Sequence, residues 1–79
     1  MIKYKQNFSG NFDELVGKAR AEFPDTEINL EDGIRIDIEI NKSWVQMRTS
    51  NTEPIVRIIA EAPELSDAQN LIDKMISLL

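Results

Sequence analysis

The stretch Gly33-Ile34-Arg35-Ile36-Asp37-Ile38-Glu39-Ile40 alternates isoleucine with charged residues from Ile34 to its end. Successive side chains of a β-strand point to opposite faces, so the isoleucines would share one face and the charged residues the other. This pattern is typical of an antiparallel sheet that is covered on one side only. We therefore predict a strand here whose isoleucine face, Ile40 included, belongs to the core.

The segments around this strand extend the sheet. Glu31-Asp32-Gly33 and Asn41-Lys42 are turn signals, because Gly, Asn and Asp tolerate the backbone conformations that tight turns require. Short turns between successive strands make the pairing antiparallel. Lys3 and Lys5 suit an edge strand, where lysines discourage further pairing. The predicted strands are 26–30, 33–40, 43–49 and 55–62, with a fifth, less regular one at 1–8.

Two segments have the spacing of amphipathic helices. The first runs from 11 to 23, with Asn11 as its cap and Pro24 directly after it. The second runs from about 66 to the end and starts at Ser66 and Asp67. Both helices need an apolar surface, and the isoleucine face offers one. We predict an α+β fold, with an antiparallel sheet of four strands, or five with the first, and two helices on one face.

Composition restricts the function. The chain has 79 residues, enough for one small domain, with 14 acidic and 9 basic residues and a net charge of −5. An acidic chain is poorly suited to nucleic acid or to an anionic membrane surface. It contains neither cysteine nor histidine, which removes the commonest metal ligands and the commonest general base. No apolar run suggests a membrane helix or a signal peptide, so we expect a cytoplasmic protein.

The segment Arg48-Thr49-Ser50-Asn51-Thr52-Glu53-Pro54 is the one candidate site. It combines a guanidinium, short hydroxyl side chains and turn amides, which together suit an oxyanion such as a phosphate ester. Pro54 fixes φ and ends the loop. The alternative is an ordinary polar hairpin loop in which Arg48 makes a surface ion pair.

The same segment resembles the phosphate-binding loop of the α-D-phosphohexomutase family, whose pattern is Arg-x-Ser-(Asn or Gly)-Thr-Glu-Pro. The family includes phosphomannomutases, phosphoglucomutases and phosphoglucosamine mutases. Asp32-Gly33-Ile34-Arg35-Ile36, Ser43-Trp44-Val45 and residues 55–62 are also similar to the family's flanking segments. The resemblance covers essentially the whole chain, but only the fourth, C-terminal domain of the family's enzymes.

This resemblance implies a fold similar to that of the TATA-box-binding protein. It also implies that Arg48, Ser50, Asn51 and Thr52 bind the substrate phosphate that is not being transferred. Thr49, Glu53 and Pro54 would shape the loop. The implied partners are a hexose phosphate, such as mannose or glucose 1- or 6-phosphate, and the other domains of the same enzyme. Asn51 slightly favours the mannose and glucose enzymes, because glucosamine mutases more usually have glycine there.

The family's phosphoserine loop and Mg²⁺-binding Asp cluster belong to earlier domains. The sequence has no clustered Asp-x-Asp-x-Asp, so Mg²⁺ is expected in the full enzyme and no cofactor in this domain. No serine has a histidine to serve as its base, so we predict that the isolated domain is inactive. The full enzyme would interconvert hexose 1- and 6-phosphates through a bisphosphorylated intermediate. The alternative is a free-standing, non-catalytic module that binds an anion or a protein.

Other residues have alternative interpretations. Asp37 and Glu39 would point to one strand face and could resemble a metal pair, but a solvated face near Arg35 is the simpler interpretation. Arg57 is expected to pair with Glu61 or Asp37 rather than with phosphate. Trp44 is expected to be a partly buried packing residue, with stacking on a sugar as the alternative.

Overall fold

The computed structural model describes residues 1–50 and 52–79, without the side chain of Asn41. The first half contains β1 (Ile2–Asn7), α1 (Phe12–Glu22), β2 (Ile28–Asn29) and β3 (Ile34–Ile38). A short 3₁₀ turn (Glu39–Asn41) leads into β4 (Ser43–Thr49), β5 (Ile55–Glu61) and α2 (Leu65–Ser77).

The strands form one antiparallel sheet in the order β1-β5-β4-β3-β2. The β3-β4 and β4-β5 pairs are hairpins, whereas β1 and β2 occupy opposite edges of the sheet. Helix α1 therefore carries the chain from one edge to the other. The predicted α+β fold is confirmed, with five strands in the sheet.

The core lies between the helices and one face of the sheet. The sheet contributes Ile34, Ile36, Val45, Met47, Val56, Ile58 and Ala60, all 0% exposed. Both helices contribute to the same cluster, through Leu15, Ala19, Phe23, Ala68, Leu71, Ile72 and Met75. The other sheet face, here called the open face, is left without a covering helix.

The two helices begin differently. In α1, the Asn11 side chain accepts a hydrogen bond from the Glu14 amide at 3.1 Å, as the predicted cap should. In α2, Glu64 is the N-cap and its side chain makes no capping hydrogen bond. Ser66 therefore lies inside the first turn of α2 rather than capping it.

The prediction that Ile40 belongs to the core is wrong. Strand β3 ends at Ile38, and the chain enters the 3₁₀ turn, where side chains repeat every three residues instead of every two. Ile40 is consequently 96% exposed. Lys42 closes the turn with a left-handed φ of 53°, and its amide donates to the Glu39 carbonyl at 3.2 Å.

The same turn separates Asp37 from Glu39. Asp37 remains on β3, whereas Glu39 starts the 3₁₀ turn, so these carboxylates do not share the predicted strand face. At the opposite edge, β2 is only two residues long. Leu30, the last residue of the predicted strand 26–30, lies beyond the end of β2 and is 43% exposed.

The contrast between Ile36 and Ile40 gives a matched stability test. Ile36 is 0% exposed and Ile40 96% exposed. We expect Ile36→Ala to lower the free energy of unfolding by about 2–5 kcal/mol, because it leaves a cavity in the core. Ile40→Ala should change it by less than about 0.5 kcal/mol.

Urea unfolding followed by circular dichroism measures both values. If Ile36→Ala does not fold, Ile36→Val replaces it, with an expected loss of about 0.5–1.5 kcal/mol. Equal losses for substitutions at both positions would contradict the placement of Ile40 outside the core.

Candidate functional site

The candidate loop closes the β4-β5 hairpin. Thr49 and Val56 form the last residue pair of the two strands, and the Ser50 amide donates to the Ile55 carbonyl at 3.1 Å. Residues 51–54 therefore bridge two strands whose ends are fixed. Asn51, one of the predicted phosphate ligands, lies outside the described residues. The structure brings Ser50 and Thr52 together in the loop, with Glu53 and Pro54 after them.

The hydroxyl of Ser50 organises this loop. Its Oγ accepts hydrogen bonds from the amides of Thr52 and Glu53, each at 3.3 Å. It also lies 3.3 Å from the Thr52 Oγ1, so one hydroxyl donates to the other. A hydroxyl that accepts from two amides is polarised, which strengthens the hydrogen bond that its own proton can donate. Since one of these two hydroxyls donates to the other, the pair has one hydroxyl proton left that could donate to an anion.

Glu53 and Pro54 act on the backbone, as loop-shaping residues would. The Ile55 amide donates to the Glu53 carbonyl at 2.8 Å, which makes a three-residue turn around Pro54. Proline suits the centre of such a turn because its ring fixes φ near the required value. The Pro54 carbonyl accepts from the Phe8 amide at 2.7 Å, so the loop is also tied to the segment after β1. Thr49, the third predicted loop-shaping residue, is exposed at the end of β4.

Arg48 lies on the open face, one residue before Thr49, which ends β4. Its Nε is 3.1 Å from Oδ1 of Asp32, a residue in the turn before β3. The Arg48 and Asp32 side chains are 56% and 63% exposed. Within the described part of the chain, no hydrogen bond joins the guanidinium to the loop. Arg48 is thus paired with Asp32, a residue for which the sequence predicted only a position in a turn.

Arg48 is the end of a row of cations across three strands. It pairs directly with Arg57 on β5, and Arg57 pairs directly with Lys5 on β1. Like charges placed opposite one another in a sheet are destabilising. Among the described residues, no carboxylate lies within ion-pair distance of Arg57 or Lys5. The row therefore concentrates positive charge near the loop end of the β4-β5 hairpin, offset in part by Asp32 at Arg48, in a chain whose net charge is −5.

The predicted ion pair of Arg57 with Glu61 or Asp37 is absent from the described residues. Asp37 is instead bound by Arg35, through Nε at 3.2 Å and Nη2 at 3.0 Å. Glu61 accepts from the Trp44 indole N–H at 3.2 Å. Asp37 and Glu61 lie at the end of the open face away from the loop, so Arg35 and Trp44 are closer to them than Arg57 is.

Trp44 is partly buried, as predicted. The Arg35 guanidinium lies 4.4 Å from the centre of its ring, in a cation–π contact that covers one ring face. The hydrogen bonds that Arg35 donates to Asp37 also raise the pKa of Arg35 above its ordinary value. Arg35, Asp37 and Trp44 therefore form a self-contained cluster, unlike the row that ends at Arg48.

A second surface feature lies at the other end of the sheet. A groove between β2 and the 3₁₀ turn is lined by several carboxylates, among them Asp25, Glu27 and Asp37. Their charge would repel a phosphate, so this groove does not compete with the loop as an anion site. Within residues 1–50 and 52–79, no group of three or more potential ligands could hold a metal ion. No described helix is long and apolar enough to cross a membrane.

Comparisons with known proteins agree with the geometry. A family model for the C-terminal domain of phosphoglucomutase/phosphomannomutase matches residues 9–78. A probable phosphoglucosamine mutase of Methanocella arvoryzae is 41% identical over 64 residues, which are 78% of this chain and 14% of the relative. A protein of the same description from Methanopyrus kandleri is 36% identical over 53 residues, 67% of this chain and 11% of the relative.

The chain thus spans about a seventh of the length of these relatives or less. The matched region contains the loop, both helices and every strand except β1. The chain therefore belongs to the phosphoglucomutase/phosphomannomutase family and corresponds to its C-terminal domain.

Proposed function

We propose that this domain binds the phosphate of a hexose phosphate that is not being transferred, with Arg48, Ser50, Asn51 and Thr52 as its ligands. The observation that carries the proposal is the pairing of Arg48 with Arg57 one residue pair before the loop, together with the Ser50 hydroxyl, which accepts two amide hydrogen bonds within the loop. A phosphate dianion needs several donors and at least one cation. This end of the sheet provides both in a small area.

Arg57 extends the proposed ligand set. It lies directly opposite Arg48, and among the described residues it has no carboxylate partner. A phosphate between the two arginines would offset the repulsion between them. We therefore assign Arg57 to the phosphate site, in place of the ion pair expected from sequence.

In the complete enzyme the domain would act as a clamp. Gripping a phosphate remote from the reacting atom positions the sugar, because binding energy gained there orients the group that reacts. A bisphosphorylated intermediate must reverse its orientation in the site between the two half-reactions. A site that recognises phosphate rather than sugar accepts either end of the intermediate, and closure of the clamp would exclude water.

The chemical step would take place elsewhere in the enzyme. The described residues offer no set of carboxylates that fits Mg²⁺, so we assign this ion to the other domains of the enzyme. Likewise, the phosphoryl-carrying serine of the family has no counterpart in this chain. The domain would contribute binding, orientation and closure, with no catalytic residue of its own.

The sugar is proposed from the relatives. Two proteins with 41% and 36% identity are described as probable phosphoglucosamine mutases. We give this more weight than Asn51, which alone favours mannose or glucose phosphates. An isomerisation assay of the full enzyme with the three 1-phosphates should give the highest kcat/KM for glucosamine 1-phosphate. A higher value for mannose or glucose 1-phosphate would contradict the assignment.

A titration of the 79-residue chain with inorganic phosphate tests the site directly. We expect saturable NMR shifts of the Ser50 and Thr52 amides, because these residues would contact the anion. Arg48→Ala should abolish these shifts. Arg57→Ala should weaken the affinity for phosphate by about tenfold, the scale of one charge-assisted contact. Arg35→Ala is the matched control, since Arg35 is on the same face but bound to Asp37. An equal loss in all three variants would indicate nonspecific attraction to a cationic face.

Kinetics of the full enzyme test the clamp. Arg48→Ala should lower kcat/KM by about ten- to a thousandfold, equivalent to about 1.5–4 kcal/mol of charge-assisted contact in the transition state. The Arg35→Ala variant again serves as the control and should stay close to the wild type. A wild-type value of kcat/KM in Arg48→Ala would exclude Arg48 from the site.

A further inference from the structure

We propose that Asp32 is a positioning residue for Arg48. It would hold the guanidinium through Nε and leave both terminal nitrogens directed to the phosphate. This inference rests on the proposed phosphate site. The ion pair of 3.1 Å between Arg48 Nε and Asp32 Oδ1 is the observation from which it starts. Asp32 would touch Arg48 and not the substrate.

An exposed ion pair is by itself weak evidence, since many such pairs contribute little to stability. What distinguishes this pair is that the backbone of Asp32 is fixed. Its carbonyl accepts a hydrogen bond of 2.8 Å from Nε2 of Gln46, two residues before Arg48 on the same strand. The carboxylate is therefore anchored to β4, the strand that carries the arginine.

Gly33 provides the second restraint. It has a φ of +78°, which L side chains rarely adopt. A Cβ at this position would collide with the Met47 carbonyl and lie 3.0 Å from Cγ of Arg48. Only glycine allows the turn to approach β4 this closely, and the close approach brings the short Asp32 side chain within reach of the guanidinium.

The start of the turn is restrained as well. The Asn29 side chain accepts a hydrogen bond of 2.9 Å from the Glu31 amide. The turn is thus fixed before, at and after Asp32, and only the few torsions of the aspartate side chain stay free. An arginine side chain that is paired with a restrained carboxylate is already partly ordered. It therefore loses less conformational freedom when it binds its ligand.

The hydrogen-bond pattern explains what this positioning achieves. Guanidinium has five N–H donors in a fixed plane, and a carboxylate at Nε leaves the two Nη nitrogens for another anion. These two nitrogens form a fork that matches two oxygens of a phosphate. Without the carboxylate, the long side chain could turn the fork away from Ser50. Asp32 would therefore select the orientation of Arg48 in the ligand-free site.

The charge of Asp32 acts in the opposite direction, because a carboxylate near the site repels a phosphate. The Asp32 and Arg48 side chains are 63% and 56% exposed, so water and salt screen this repulsion. Arg57 and Lys5 on the far side of Arg48 also oppose it. Orientation and charge can be separated experimentally, since asparagine keeps an oxygen acceptor for Nε but removes the charge.

The test is phosphate affinity of the 79-residue chain, measured by NMR titration with inorganic phosphate. Asp32→Ala should weaken binding by about three- to tenfold, the scale of ordering one long side chain. Asp32→Asn should bind at least as tightly as the wild type. Glu31→Ala is the matched control, because it removes the same charge one residue away and its side chain has no described contact; it should not weaken binding.

A second readout concerns Arg48 in the absence of phosphate. Its Nε–H signal should be sharp and slow to exchange in the wild type and in Asp32→Asn. In Asp32→Ala the signal should broaden or exchange faster with water.

The outcomes separate this inference from the proposed function. If the wild type shows no phosphate-dependent shifts at Ser50 and Thr52, the phosphate site itself is wrong and the positioning role falls with it. If Arg48→Ala abolishes binding but Asp32→Ala binds as tightly as the wild type or more tightly, only the positioning role of Asp32 is overturned. Tighter binding by both Asp32 variants would show that Asp32 acts as a competitor for Arg48.

Discussion

The register between β3 and β4 is the constraint on which the candidate site depends. Ile34 lies opposite Met47, so the residue before Ile34 comes to lie beside Arg48. That residue is Gly33, whose missing side chain allows the turn to touch the strand. Asp32 then falls within 3.1 Å of the Arg48 Nε. A shift of this register by two residues would leave the core composition almost unchanged but would place a different residue next to the arginine.

One face of the sheet is apolar and the other is charged, and this difference determines the electrostatics around Arg48. Because both helices cover one face, apolar side chains are used there and the open face can be charged. Five of the nine basic residues lie on the open face, namely Lys3, Lys5, Arg35, Arg48 and Arg57. The carboxylates Asp37 and Glu61 neutralise this face at the end away from the loop. The basic residues without a described carboxylate partner, Lys5 and Arg57, consequently lie in one row with Arg48 near the loop end of the hairpin, despite the acidic composition of the chain.

The fold could be predicted from the sequence because it depends on the periodicity of apolar residues. Contacts between side chains on neighbouring strands could not be predicted in this way. A two-residue turn at Asn41-Lys42 would have paired Arg48 with Arg35, whereas the observed 3₁₀ turn pairs Arg35 with Gln46. The two registers differ by two residues, so every side chain keeps its face and the predicted core survives, except at Ile40. The loop was found from its residue types, but its hydrogen bonds, and the roles of Asp32 and Arg57, require coordinates. No composition or spacing in the sequence specifies which arginine a turn aspartate will reach.

A carboxylate beside a phosphate-binding arginine has a physical advantage in the proposed clamp. In that proposal the bisphosphorylated intermediate would leave the site and return in the opposite orientation, so a grip that is too strong would slow turnover. Orienting Arg48 would make binding specific for phosphate geometry, while the negative charge of Asp32 would limit the total attraction. Arg57, which has no described carboxylate partner, can follow the anion as it arrives and leaves. Arg48, held in place by Asp32, would make the site selective for phosphate, and Arg57, without a described partner, would allow the phosphate to be released. Two unrestrained arginines would not combine these properties.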